Sequence, residues 1–176
     1  MRWDVLSAEP QKIELARALV SLSARRGWSS AVMAEAACNL CGDPEAWRRH
    51  FPHGPRDALW FISEMSDESM RIAFAQAPAS SMAAVIDERL AQNRALKPFV
   101  RMVMAYDVRH PVQAIRRMQR TARVMEQCTG LRIGAARLTM LNHAYTAIVF
   151  FWLLDRSPLD RRTGALTRGL MRMLRL

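Results

Sequence analysis

The stretch Leu138–Leu154, LTMLNHAYTAIVFFWLL, constrains this chain more than any other. From Ala144 to Leu154 it is apolar or nearly so without a break, and Asp155-Arg156-Ser157-Pro158 closes it. A helix that is apolar all round is expected to be buried, by protein or by lipid. At ~1.5 Å per residue the stretch reaches about 25 Å, short of the ~30 Å hydrocarbon core of a bilayer. Asn142 and His143 also lie inside it, where lipid would penalise them. The expectation is therefore the central helix of a soluble domain. Within it, Asn142 and His143 are either satisfied core groups or the orienting contacts for a ligand's head.

Around that helix the 3.6-residue period recurs throughout and no alternating strand pattern appears, so the chain is expected to be all-α. Its 176 residues suit one domain with a substantial core. Ser7 and Pro10 predict a helix start, with Gly27 as its stop. Ser29 or Ser30 caps a second helix ending near Gly42, and Asp43-Pro44-Glu45 starts a brief third that Phe51-Pro52 breaks. Pro55 opens a fourth helix to about Ala77, Ser80 or Ser81 caps a fifth running to Lys97-Pro98, and a sixth stops before His110. The seventh, from Pro111 to about Cys128, is expected to bury Ile115, Met118, Ala122 and Met125, with Arg116, Arg120 and Arg123 opposite. The ninth runs over about Leu159–Leu176, with Leu159, Leu166, Leu170, Met173 and Leu174 on one stripe and Arg161, Arg168, Arg172 and Arg175 opposite. This division gives a helix-turn-helix-like module over 1–54 and a ligand-binding helical bundle over 55–176.

Charge is also unevenly distributed along the chain. Residues 1–70 hold 8 basic and 10 acidic side chains, whereas residues 71–176 hold 18 and 6. All the basic residues but Lys12 and Lys97 are arginines, which grip phosphate bidentately. A DNA-reading helix needs a neutral or positive start, and here Asp43 and Glu45 stand there in a net-acidic half. Specific nucleic-acid binding is therefore not expected. Three cysteines and no apolar run in Met1–Pro10 point to a reducing compartment, with the cytoplasm as the expected location.

The run LARALVSLSARRGWSSAVMAEAACNLCGDPEAWRRHF resembles the N-terminal module of TetR-type regulators. A second resemblance covers residues 13 to 170. Asp43-Pro44, Phe51-Pro52-His53-Gly54-Pro55, Arg120-Thr121-Ala122 and Tyr145…Phe151-Trp152-Leu153-Leu154-Asp155-Arg156-Ser157-Pro158 occur in order. Together they resemble the lipid-binding accessory proteins of coenzyme Q (ubiquinone) biosynthesis, which have a TetR-like fold. That resemblance implies a pocket for a polyprenyl quinone intermediate or other lipid and a peripheral membrane contact. It also implies a partner, the hydroxylase acting on the quinone intermediate. The sequence departs from the family at Ile133, Gly134 and Ala135, where Asn-Trp-Tyr is usual, and at Gln119, where tryptophan is common. Those positions bear on the hydroxylase contact. The alternative is a TetR-type regulator sensing an apolar effector.

The side chains expected to hold lipid are Phe99, Met102, Met118, Ala122, Met125, Leu141, Tyr145, Ile148, Phe151 and Trp152. An ordinary filled core is the competing reading of the same stripes. Membrane contact is assigned to Leu166, Arg168, Leu170, Arg172, Leu174 and Arg175 on the last helix, which also suits docking on a second subunit in a homodimer. Cys38-Asn39-Leu40-Cys41 lacks the further ligands a zinc needs and reads as a buried pair. Glu64, Asp67 and Glu68 read as a solvated face, and the four histidines are scattered. No catalytic constellation, metal or cofactor is expected.

Overall fold

Local signals fix most element ends in the computed structural model, which describes residues 9–176. Helix α1 spans Pro10–Arg26 and stops at Gly27, whose φ of +81° few other residues adopt. Ser7, the expected start, lies outside the described residues. Helix α2 spans Ser30–Cys41; Ser29 caps it by accepting from Val32 N–H, and left-handed Gly42 ends it. Prolines at the first or second position open α4 (Pro55–Ala73), α6 (Lys97–Arg109) and α7 (Pro111–Thr129). Ser81 caps α5 (Met82–Gln92) by accepting from Ala84 N–H at 3.2 Å. Helix α8 runs Ala135–Leu154 and α9 runs Arg161–Leu174. Short 3-10 turns at Arg94–Leu96 and Pro158–Asp160 complete an all-helical arrangement, with no strand among the described residues.

Several boundaries differ from expectation. The third helix, α3, is the single turn Trp47–His50. Asp43 accepts the Glu45 N–H at 2.9 Å, and successive bonds from residue i to i+3 tie 43–49 into turns. Helix α4 ends at Ala73 and α5 at Gln92, each earlier than the apolar pattern suggested.

Two apolar clusters result. Leu19, Met33, Trp47, Phe51, Leu59 and Met65 centre the first, built from α1 to α4 with Phe99 of α6. Met70, Ile86, Met125, Leu141, Ile148 and Trp152 centre the second, built from α4, α5, α7, α8 and α9. Helix α4 therefore supplies both, Met65 to one and Met70 to the other, and Val100 of α6 packs on each.

The apolar helix is not enclosed. Leu141, Ile148, Trp152 and Leu153 of α8 are buried, whereas Phe150 is 58% exposed and Met140, Phe151 and Leu154 also face solvent. An apolar circumference cannot by itself say how many neighbours a helix will find, and α8 has α5, α6, α7 and α9 on one side only. His143 is exposed, its Nδ1 2.8 Å from the Thr139 carbonyl, so it is not a core group. Helix α9 buries Thr163, Thr167 and Met171, with Leu170 and Leu174 partly buried against the second cluster. Its inward face is thus rotated from the expected stripe, leaving Leu159 and Met173 in solvent. No described helix is long and apolar enough to cross a membrane.

Candidate functional site

A cavity of about 400 Å³ lies where the two clusters meet. Helix α4 contributes Leu59, Ile62, Ser63 and Ser66; α5 contributes Arg89. Val100, Val103 and Met104 of α6, Ala114, Ile115 and Met118 of α7, and Tyr145 and Val149 of α8 close the walls. The volume falls in the range of about 300–1,000 Å³ typical of small-molecule pockets. Its outer end is the α6–α7 corner, where Val108 is 82% exposed and Ile115 53%. Val112, beside them in sequence, is exposed as well. Arg109 and Arg116 flank this corner in solvent.

The inner end is polar and tightly bonded. Arg89, only 6% exposed, sends Nη1 to Asp67 at 2.7 Å and donates Nε–H to the Tyr145 hydroxyl at 2.9 Å. Asp67 also accepts from Arg120 Nε at 3.0 Å and from the Thr121 hydroxyl at 3.0 Å, and Arg120 reaches on to Glu64 at 3.0 Å. One carboxylate therefore joins α4 to α5 and α7, and Arg89 extends the network to α8. Burial works against the charge on Arg89, but Tyr145 and Asp67 outweigh it and raise its pKa. Burial pushes the Tyr145 phenol up, with Arg89 opposing. Nearer the mouth, Arg117 is hydrogen-bonded to Asp107. Burial raises the Asp107 pKa despite Arg117, and its second oxygen, Oδ1, has no hydrogen-bond partner.

Of the side chains expected to hold lipid, Phe99, Met118 and Tyr145 line this cavity. Ala122, Met125, Leu141, Ile148 and Trp152 instead fill the second core, and Met102 packs on the first. Phe151 faces outward. Ile115, expected in the core, stands at the mouth.

Asp67, expected in solvent, is buried and central, and Arg120 is drawn inward to it. A sequence signal for this network existed. Arg89 occupies a core-facing place in the α5 stripe of Met82, Val85, Ile86 and Leu90, and Arg117 does the same between Ala114 and Thr121. A charge at a stripe position asks for a buried partner.

Cys38 and Cys41 are exposed, because Val32, Met33, Ala36 and Ala37 take the inner face of α2. No cluster of three or more metal-binding side chains occurs among the described residues. Set against known proteins, the chain matches no family model and no curated sequence.

Proposed function

We propose that this chain binds an elongated apolar lipid, of the polyprenyl quinone kind, and presents it to a partner enzyme at a membrane surface. In this reading the frame is TetR-like, a helix-turn-helix-like module carrying a ligand-binding bundle, and the protein performs no chemistry of its own. The observation that carries the proposal is the cavity walled by Ile62, Val100, Val103, Met104 and Val149, opening between protruding Val108 and Ile115. Water gains nothing in such a cleft, whereas an alkyl or prenyl chain would bury its surface there at about 25 cal/mol per Å². The resemblance of the ordered motifs to ubiquinone-biosynthesis accessory proteins supports the same reading, with the quinone hydroxylase as the partner it suggests.

Membrane contact in this proposal centres on the mouth. Val108, Val112 and Ile115 would enter the interface while Arg109 and Arg116 meet anionic headgroups, each cation contributing about 1 kcal/mol. Leu170 and Leu174 of α9 are turned toward the core, but Arg168, Arg172 and Arg175 remain exposed and would add to the attraction.

A regulator sensing an apolar effector would use the same cavity. The reading head favours it less: α3 has four residues, about 6 Å of helix, and Arg48 is paired with Glu45.

The test is lipid extraction and native mass spectrometry of purified protein, with flotation on anionic vesicles. Val149→Trp, which fills the cavity, is expected to lower lipid occupancy, and Val108→Ser with Ile115→Ser to lower flotation. Folded protein that carries no lipid, and takes none up from vesicles, would overturn the proposal.

A further inference from the structure

Charges around the cavity cancel in place. At the inner end the carboxylates of Asp67 and Glu64 face the guanidinium groups of Arg89 and Arg120, all within 3.0 Å of a partner. Toward the mouth Asp107 answers Arg117. Each of these cations stands beside a carboxylate, so the wall carries no surplus positive charge, although Arg89 Nη1 itself makes no hydrogen bond.

Apart from Arg89 Nη1 and Asp107 Oδ1, which make no hydrogen bond, the remaining polar chemistry of the wall is neutral. Thr121 gives its proton to Asp67 and Thr146 gives its own to the Asn142 carbonyl, while the Asn93 amide donates to Ser66. Tyr145 is different. Its oxygen accepts from Arg89, but its own proton has no acceptor among the described residues, and the side chain lines the cavity. A hydroxyl that accepts from a cation becomes a stronger donor, because the bonds polarise one another. Ser63 and Ser66 of α4 add further uncharged hydroxyls to the same wall.

We infer that the cavity selects an uncharged head group bearing a carbonyl or hydroxyl oxygen over a carboxylate, with the Tyr145 hydroxyl as donor to that oxygen. This rests on the lipid-binding reading and specifies its ligand class: neutral prenyl or alkyl carbonyl compounds and alcohols, not fatty acids. A carboxylate placed at Tyr145 would add a further negative charge close to Asp67 with no free cation to answer it. Burying an uncompensated charge costs far more than one hydrogen bond returns.

The experiment uses the delipidated full-length chain and displacement of bound Nile red near neutral pH. Four probes share one alkyl chain: dodecane, dodecanol, methyl laurate and laurate. Dodecanol and methyl laurate are expected to bind about fivefold tighter than dodecane, the worth of one net hydrogen bond. Laurate should bind at least about tenfold weaker than methyl laurate, since its charge stays uncompensated.

In Tyr145→Phe the advantage of dodecanol and methyl laurate over dodecane should vanish, while dodecane affinity holds. That variant leaves Arg89 Nε without its partner, so thermal unfolding is followed alongside; the probe series on the unaltered protein stands whether or not the variant folds. Laurate binding as tightly as methyl laurate, or a head-group preference unchanged in folded Tyr145→Phe, overturns the inference. If dodecane binds and head groups make no difference, only the inference falls. If neither Nile red nor any probe binds, the lipid-binding reading falls with it.

Discussion

Replacing Asp67 by alanine should unfold this protein more readily than removing any other single carboxylate. The side chain is 3% exposed and receives Arg89 and Thr121 at Oδ1 and Arg120 at Oδ2. Its loss leaves the Arg89 guanidinium, on a side chain 8% exposed, with only the neutral Tyr145 hydroxyl. Removing one partner of a buried pair costs about 3–5 kcal/mol, because the other charge stays behind uncompensated. For a chain of this length each kcal/mol is worth about 2–4 °C, so the midpoint of thermal unfolding should fall by about 6–20 °C.

Two comparisons isolate the cause. Glu64→Gln alters a carboxylate that is 43% exposed and should cost no more than about 1 kcal/mol. Asp67→Leu combined with Arg89→Leu removes both charges, and should be less destabilising than the two single changes added together. Urea unfolding followed by circular dichroism measures all of these. An Asp67→Ala protein no less stable than Glu64→Gln, or strict additivity in the double variant, would refute the reasoning.

Two further outcomes follow from the α8–α9 corner. Burial works to raise the Asp155 pKa, but hydrogen bonds from Ser157 and from the Thr163 N–H and hydroxyl outweigh it and hold the carboxyl well below the usual range. A depressed folded-state pKa stabilises above the unfolded value of about 3.9 and loses that contribution as pH falls further; Asp155→Asn should therefore be less stable near neutrality and show a shallower acid-unfolding curve. Trp152 is 1% exposed in the second core and donates Nε1–H to Asp160 at 3.0 Å, so Trp152→Ala should cost about 3–5 kcal/mol of stability in urea titration rather than act first on ligand occupancy.

What the sequence made legible was mostly local. Pro55, Pro111, Ser29, Ser81, Gly27 and Gly42 each act on the neighbouring turn, and each marks a helix end where it was expected. The cavity was not legible in the same way. Asp67 meets Arg120 across 53 positions and Arg89 meets Tyr145 across 56, and periodicity is silent on such pairings. Methionine-rich stripes likewise do not say which residues fill space and which border it: Met125 is core, whereas Met118, seven positions earlier, is cavity wall.

Helix α8 raises a problem of registration. Its apolar residues are spread around the whole axis, so turning it within the bundle would exchange one greasy surface for another. Hydrophobic burial drives this helix into place but is nearly degenerate as to its angle. The degeneracy is lifted by polar bonds along its length: Tyr145 to Arg89, the Leu153 carbonyl to Arg101, Trp152 to Asp160, and Asp155 to Thr163. A buried polar bond serves here as an index mark, whose worth lies in excluding alternative rotations more than in lowering the energy of the chosen one. Affinity between helices and uniqueness of their arrangement are thus encoded by separate sets of residues in this chain. Loosening the index marks while keeping every apolar side chain would yield a bundle that still collapses, with Tyr145 no longer held at the cavity.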